Sequence, residues 1–255
     1  MKGIDVSSHQ GKIDWESVKS SGIEFAIIRA GYGYSTTDER FERNITEALR
    51  VGLKVGVYWF SYALNEEDAV IEADFCHYKI QKYNVDFPVF YDFEYATEEY
   101  AGRNGVSYTN ATRSAIIKAF CDRMKKYGHD SGIYTNLDYI RHRLDMKPLE
   151  EYPLWLADYS ARDGQTELKE FMRQTSSTGK VNGISGDVDL DECYGKTLDN
   201  QPSEWSKEAI KWAVKNNILR GDTDGNFGLR EPCTVEKALT FLYRAIKNIK
   251  FDIGE

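Results

Sequence analysis

The amino-acid sequence predicts an α/β fold for the first two hundred residues and a small helical module after them. Short apolar runs rich in β-branched and aromatic residues predict buried strands at 24–30, 53–60, 88–93 and 131–135. Helical patterns lie between these runs, and such alternation is typical of a parallel sheet. Because the alternation continues through the whole region, its length favours one barrel over two small domains.

Three helices are predicted between the strands. The first spans about 38–51, where apolar residues recur with a period of 3.6 residues. The second spans about 65–83 and opens on Asn65, whose side chain can accept the free amides of the first turn. The third spans about 110–127 and stops at Gly128, a residue typical of helix ends. Each helix therefore has the length needed to connect two parallel strands.

The character of the chain changes after residue 195. We predict a first domain at 1–195, a polar linker at 196–204 and a helical module at 205–255. Two amphipathic segments, near Trp205 and near Val235, predict a helical hairpin in this module. About fifty residues bury little core, so the module is expected to lean on the barrel or on another copy of itself.

Charge and hydropathy argue against several classes of partner. The formal net charge of −8 comes without a basic cluster, so nucleic acid is not an expected partner. The longest apolar stretches, such as 53–63, are interrupted well short of a membrane span, and no membrane insertion is expected. The first residues lack a basic region followed by an apolar segment, so we expect no signal peptide and an export route that needs outside help.

Cysteine and histidine patterns point to no metal and no cofactor. The four cysteines lie far apart without CxxC spacing, which favours free thiols over disulfides or a zinc site. The four histidines show no HxH or HExxH spacing. The stretch 222–226 is similar to part of a calcium loop but lacks the distal glutamate, so a tight turn is expected there.

Acidic residues gather at predicted strand ends. Asp92 and Glu94 close one strand and, by alternation, point to the same side about 7 Å apart. Asp5 ends the first strand at the matching height, because functional groups of parallel barrels collect at the carboxyl ends of strands. The last strand adds three alternating acids that would face one way: Asp187, Asp189 and Asp191.

Crowded carboxyl groups suit the cleavage of a glycosidic bond. They cannot all ionise freely, so one keeps a raised pKa and can donate a proton near neutral pH. Hydrolysis of a glycoside requires such a donor beside a second carboxylate. Other interpretations stay open here: each acid alone could cap a helix, a metal-dependent phosphodiesterase would use the same acids as ligands, and a non-catalytic barrel could bind sugars through aromatic rings.

Five motifs in this order resemble glycoside hydrolase family 25. They are DVSSHQ at 5–10, YDFE at 91–94, GIYTN at 132–136, LWLADY at 154–159 and GISGDVDL at 183–190. The resemblance covers about residues 1–195. It implies a flattened, TIM-like barrel in which some late strands lack helices. It also implies an enzyme, a lysozyme that hydrolyses the β-1,4 bond between N-acetylmuramic acid and N-acetylglucosamine in peptidoglycan.

The resemblance also assigns roles to individual residues. Glu94 would protonate the leaving oxygen, while Asp5, Asp92 and Asp189 would stabilise positive charge or orient the N-acetyl group. Five residues would bind the sugars, although the aromatic ones among them could equally be core residues: Tyr58, Tyr62, Tyr134, Trp155 and Gln174. Retaining, inverting and substrate-assisted courses all remain open, and we favour the last because the substrate carries a 2-acetamido group.

The tail is similar to a single S-layer-homology repeat. The segments that carry this likeness are 205–213, 217–227 and 234–244, with Val235 where such repeats usually have arginine. The likeness implies anchoring to a secondary cell-wall polymer, and a single repeat motivates the hypothesis that copies pair between chains. Together the two resemblances imply a phage endolysin that lyses a Gram-positive host. It would be made in the host cytoplasm and released through a membrane hole made by another protein.

Overall fold

The chain divides into two compact units, Met1–Lys196 and Thr197–Glu255. The computed structural model describes residues 1–160, 164–195, 202, 206–221, 227–229 and 233–248. Three sequence predictions lie outside these residues: the linker at 196–204 apart from Pro202, the helix start at Trp205, and the turn at 222–226.

Eight strands of the first unit close into a barrel, and a short ninth strand, β3, extends it at β2. Their bounds are β1 Lys2–Val6, β2 Phe25–Tyr32, β3 Thr36–Thr37, β4 Lys54–Phe60, β5 Val89–Asp92, β6 Ser131–Asn136, β7 Leu154–Ala157, β8 Met172–Gly179 and β9 Val188–Cys193. The barrel order is β1-β9-β8-β7-β6-β5-β4-β2, closed by parallel pairing of β1 with β2. Only β9 runs antiparallel to both of its neighbours. The predicted barrel is confirmed.

Helices cover the first half of this barrel. They are α1 Trp15–Ser20, α2 Phe41–Arg50, α3 Glu66–Ile80, α4 Tyr95–Arg103 and α5 Asn110–Lys126. As predicted, Asn65 begins the second long helix by accepting the amide of Asp68 at 2.9 Å. Between β6 and β7 the chain forms only short π and 3-10 turns, and no helix occurs among the described residues between β7 and β9. Late strands without helices are therefore confirmed.

The start of α2 differs from the sequence prediction. The helix begins at Phe41 rather than Asp38, because the buried Asp38 carboxylate bonds to three other groups. It accepts hydrogen bonds from the Arg29 guanidinium at 2.8 Å, from the Ser8 amide at 3.0 Å and from the Arg40 amide at 2.9 Å. This ion pair ties the loop after β1 to β2 and to α2, and so fixes the strand ends near Asp5.

Two apolar clusters fill the first unit. The larger lies between the strands and the helices, and includes Trp59, Tyr91 and Phe120. The smaller includes Phe25, Phe90 and Trp155, and its other buried members are Ile27, Tyr58, Phe87, Met172 and Cys193. Since all of these side chains are buried, the smaller cluster is an apolar floor beneath the strand ends.

The second unit contains two helices in its described part, α6 Lys207–Lys215 and α7 Val235–Asn248. Ile218 and Leu219, which follow α6, are buried. None of the helices described in the chain combines the length and the apolar character that a membrane crossing needs. All four cysteines of the chain are free thiols, as predicted.

Replacing Asp38 with alanine should strongly destabilise the barrel. The change leaves the Arg29 guanidinium, only 12% exposed, without its carboxylate. Breaking a buried pair in this way typically lowers the free energy of unfolding by about 3–5 kcal/mol, which urea denaturation measures. The matched control is Glu16→Ala, which removes one of the two carboxylate partners of the exposed Arg50 and should cost less than about 1 kcal/mol. Equal losses for both variants would contradict this assignment.

Candidate active site

A polar cavity of about 210 Å³ opens where the barrel strands end. Its lining brings together residues from seven strands and from the segments after β5 and β7: Asp5, Tyr58, Asp92, Glu94, Tyr134, Trp155, Tyr159, Gln174 and Asp189. The four acids predicted to converge do so here. The barrel closure that pairs β1 with both β2 and β9 makes this possible, because it brings the first and last strands of the domain side by side.

Strand register explains the position of each acid. Asp5 and Asp189 lie directly opposite each other on antiparallel β1 and β9, so both side chains point to the same face. Asp92 is the last residue of β5, and Glu94 follows two residues later at the start of α4. Asp187 precedes β9, is exposed and pairs with Lys180 at 2.6 Å, so it lies outside the cavity. The family resemblance gave a role to Asp189 and none to Asp187, which agrees with the geometry.

Gln174 organises one side of the cavity. It is buried, its Nε2 donates to Asp5 Oδ2 at 2.7 Å, and its Oε1 accepts the Tyr134 hydroxyl at 2.9 Å and the Tyr159 hydroxyl at 2.7 Å. The sequence prediction gave Gln174 a role in sugar binding. Its described hydrogen bonds instead orient Asp5 and two tyrosine rings, and direct contact with a sugar stays a prediction.

Three of the four predicted aromatic residues line the cavity, and Tyr62 does not. Tyr58 and Trp155 line the cavity but are more than nine-tenths buried, so they form its floor. Tyr134 packs 4.6 Å from Trp155, centroid to centroid, and is partly accessible. Tyr62 does not line the cavity, and its predicted contact with a sugar stays a prediction. It follows the end of β4 by two residues, and its ring packs against Tyr100 and Phe60 instead.

Three residues that sequence reasoning did not place here contribute to the site. Tyr159, which is half exposed, lines the cavity mouth. Asp191 lies two residues after Asp189 on β9 and is buried. It accepts a hydrogen bond from the Trp155 indole N–H at 2.8 Å. Arg29 supplies positive charge that partly offsets the rise that burial and the charge of Glu94 cause in the pKa of Asp92. Alternation alone indicated the face of Asp191, but no local signal indicated Arg29, since its position depends on barrel closure.

Burial and mutual repulsion hold protons on these carboxyl groups. Burial, then the charges of Asp191 and Asp189, raise the pKa of Asp5 well above its ordinary value. Burial, then the charge of Glu94, raise the pKa of Asp92 in the same way. The pKa of Glu94 is also raised, by burial first and by the charge of Asp189 second. The cluster therefore retains protons at pH values where ordinary carboxyl groups have lost them.

The carboxyl groups are not arranged as a metal centre. Within the described ranges, no group of three or more His, Cys, Asp or Glu side chains has a geometry that could hold a metal ion. What the arrangement can do is donate a proton into a polar cavity and stabilise positive charge there with neighbouring carboxylates.

Asp191→Asn should stabilise the protein much more at pH 8 than at pH 4.5. Burial raises the pKa of Asp191 from 3.8 to about 8. Between those values the folded state holds a proton that the unfolded state releases, so stability falls as pH rises. Asparagine does not ionise, so the variant should gain roughly 2–5 kcal/mol at pH 8 and only about 1 kcal/mol at pH 4.5 in urea unfolding.

The matched control is Asp187→Asn, which changes an exposed acid just before the same strand. It should alter the free energy of unfolding by less than about 1 kcal/mol at both pH values. A gain for Asp191→Asn that is equal at pH 4.5 and pH 8 would show that ionisation is not its cause.

Comparison with known proteins identifies the family. The model of glycosyl hydrolases family 25 matches residues 4–184, and the S-layer homology domain matches residues 197–234. The chain is 31% identical to the "Autolytic lysozyme" of Clostridium acetobutylicum over 86% of its length, and spans 64% of that protein. It is 30% identical to "Lysozyme M1" of Streptomyces globisporus, over 76% of this chain and 68% of that one.

A solved structure gives the same result for the fold. The bacterial lysozyme from Streptomyces coelicolor superposes with a TM-score of 0.64 at 28% identity, covering 77% of this chain and 93% of that one. The barrel, the acidic cavity at its strand ends and the family match over residues 4–184 agree, and the chain belongs to glycosyl hydrolases family 25.

Proposed function

We propose that this protein is a lysozyme that hydrolyses the β-1,4 bond between N-acetylmuramic acid and N-acetylglucosamine in peptidoglycan. The observation that carries the proposal is the cavity in which Glu94 lies beside Asp5, Asp92 and Asp189. Family membership and the names of the two lysozyme relatives support the same substrate class. The chain spans under two thirds of the first of those relatives, so its activity is proposed from its own site.

In the proposed reaction Glu94 is the general acid. It gives its proton to the glycosidic oxygen as the bond from that oxygen to the sugar C1 breaks. The oxygen of the substrate's own 2-acetamido group attacks C1, and water later opens the resulting ring with the Glu94 carboxylate as general base. The raised pKa of Glu94 supports this role, because the carboxyl must arrive protonated.

The other acids would orient and stabilise the reacting sugar. Asp92 Oδ1 is buried and has no hydrogen-bond partner among the described residues, which leaves it available for the acetamido N–H of a substrate. Asp5, held by Gln174, and Asp189 would face the positive charge that develops at C1. At the cavity mouth Tyr159 offers a half-exposed ring against which a sugar face can pack.

Glu94→Gln should abolish wall clearing without loss of folding. Glutamine keeps the shape of the side chain but cannot donate the proton, and loss of a general acid typically slows a reaction by about 10²–10⁴-fold. Turbidity of purified Gram-positive walls and the appearance of new reducing ends measure the effect. The matched control is Glu99→Gln, the same change at an exposed position on α4, which should leave clearing unchanged.

Two arms of this experiment separate the alternatives. A metal-dependent phosphodiesterase using the same acids would lose activity in EDTA, whereas the proposed lysozyme should keep it. A non-catalytic sugar-binding protein would release no reducing ends in any arm. Full activity of Glu94→Gln, with or without EDTA, would reject Glu94 as the acid.

We propose further that the second unit anchors the enzyme to a secondary cell-wall polymer and associates with a second copy of itself. Helix α7 supports the association, because one of its faces carries five apolar residues that are each at least 60% exposed: Val235, Leu239, Leu242, Tyr243 and Ile246. As part of the same proposal, the protein is a phage endolysin of a Gram-positive host. It would be made in the host cytoplasm and reach the wall through a membrane hole made by another protein.

Light scattering across a concentration series tests the association. The full chain should shift from monomer to a larger species as concentration rises, and Leu242→Glu should remain monomeric because a charge would be buried at the contact. Leu168→Glu, the same change at an exposed leucine of the first unit, should associate like the wild type. A single monomeric wild-type species at every concentration would defeat the proposal.

A further inference from the structure

We propose that Thr97 and Glu72 are positioning residues, joined by a buried chain of hydrogen bonds that holds the backbone of Glu94 in place. Neither residue lines the acidic cavity. The inference rests on the proposed function, since it assigns to these residues the task of placing the general acid.

The chain of hydrogen bonds starts at Glu72, on a helix outside the barrel strands. This residue lies on α3, is 1% exposed, and accepts the Tyr62 amide at 2.9 Å and the Tyr91 hydroxyl at 2.6 Å. Burial raises the pKa of Glu72 to about 8, which is a sign of how costly this carboxyl is to keep inside the fold. An apolar side chain would fill the site of Glu72 at less cost in free energy. The role of Glu72 therefore lies in the hydrogen bonds that its carboxyl group makes.

The next links join the ends of β4 and β5. Tyr91 donates to Glu72, so its hydroxyl oxygen accepts from Ser61 Oγ at 2.8 Å. The Ser61 amide in turn donates to the Asp92 carbonyl at 2.9 Å. The segment after β4 is thereby fixed against the last residue of the strand that carries the acids.

Thr97 links this chain of hydrogen bonds to the backbone of Glu94. It is fully buried and donates through Oγ1 to the Ser61 carbonyl at 2.8 Å. The Glu94 amide donates to Thr97 Oγ1 at 3.4 Å, and the Thr97 amide donates to the Glu94 carbonyl at 3.0 Å. Both backbone polar groups of Glu94 are thus bonded to Thr97, and the Glu94 carbonyl also accepts the Glu98 amide at 3.3 Å.

Glu94 needs this support because it lies outside the sheet. The ladders of β5 with β4 and with β6 end at Asp92, so no strand neighbour fixes the residue two positions further on. A catalytic group displaced by about 1 Å can lose 10²-fold in rate. We therefore expect loss of these hydrogen bonds to slow the chemical step rather than to weaken substrate binding.

Thr97→Val tests the last link, because valine keeps the shape of threonine and removes the hydroxyl. On soluble glycan strands, kcat should fall by about tenfold or more while KM stays within about twofold. Thr97→Ser restores the hydroxyl and should recover most of kcat. Tyr91→Phe cuts the chain nearer Glu72 and should lower kcat in the same way, by about threefold or more.

Ser131→Ala is the matched control for stability. Ser131 Oγ donates to the Val89 carbonyl at 2.9 Å, so the change also removes one buried hydrogen bond to β5, but at the end remote from the acids. It should lower Tm by about as much as Thr97→Val and leave kcat unchanged.

Each outcome decides the proposal. Wild-type kcat in Thr97→Val, an effect on KM alone, or an equal fall of kcat in Ser131→Ala would overturn the positioning role while the enzyme remains a lysozyme. A wild-type protein that releases no reducing ends would overturn the proposed function as well.

Discussion

The crowding of carboxyl groups over an apolar floor is the constraint on which this structure depends. Closing the barrel through β1 and β9 brings acids from both ends of the domain into one cavity. Phe90 and Trp155 exclude water from beneath them. Because charge is poorly solvated there and each acid repels the next, the site keeps protons that exposed acids would release. The raised pKa values of Asp5, Asp92 and Glu94 follow from this packing.

The surrounding structure compensates for that unfavourable arrangement. Arg29 supplies a positive charge close to Asp92 while its main partner, Asp38, ties it to the barrel wall. Gln174 donates to Asp5 and is itself held by two tyrosine hydroxyls. These contacts do not neutralise the acids fully, and the remaining destabilisation is the usual cost of an active site.

The sequence contained enough information for the barrel and for the four converging acids, but not for the residues that hold them. Strand alternation and the gathering of functional groups at strand ends indicated Asp5, Asp92 and Glu94, since both rules are local. The family resemblance indicated Asp189 among the three alternating acids of the last strand. The start of α2, the bonds of Gln174 and the position of Arg29 near Asp92 depend on partners many residues away. No spacing rule indicates such contacts before the barrel is closed.

Identification of the new reducing sugar tests the proposed function most directly. Peptidoglycan from a Gram-positive wall is digested with the wild-type protein, the products are reduced with borohydride, and mass spectrometry determines which sugar carries the reduced end. Cleavage after N-acetylmuramic acid predicts N-acetylmuramitol. Reduced ends found only on N-acetylglucosamine would contradict it and assign the acidic cavity to a different bond.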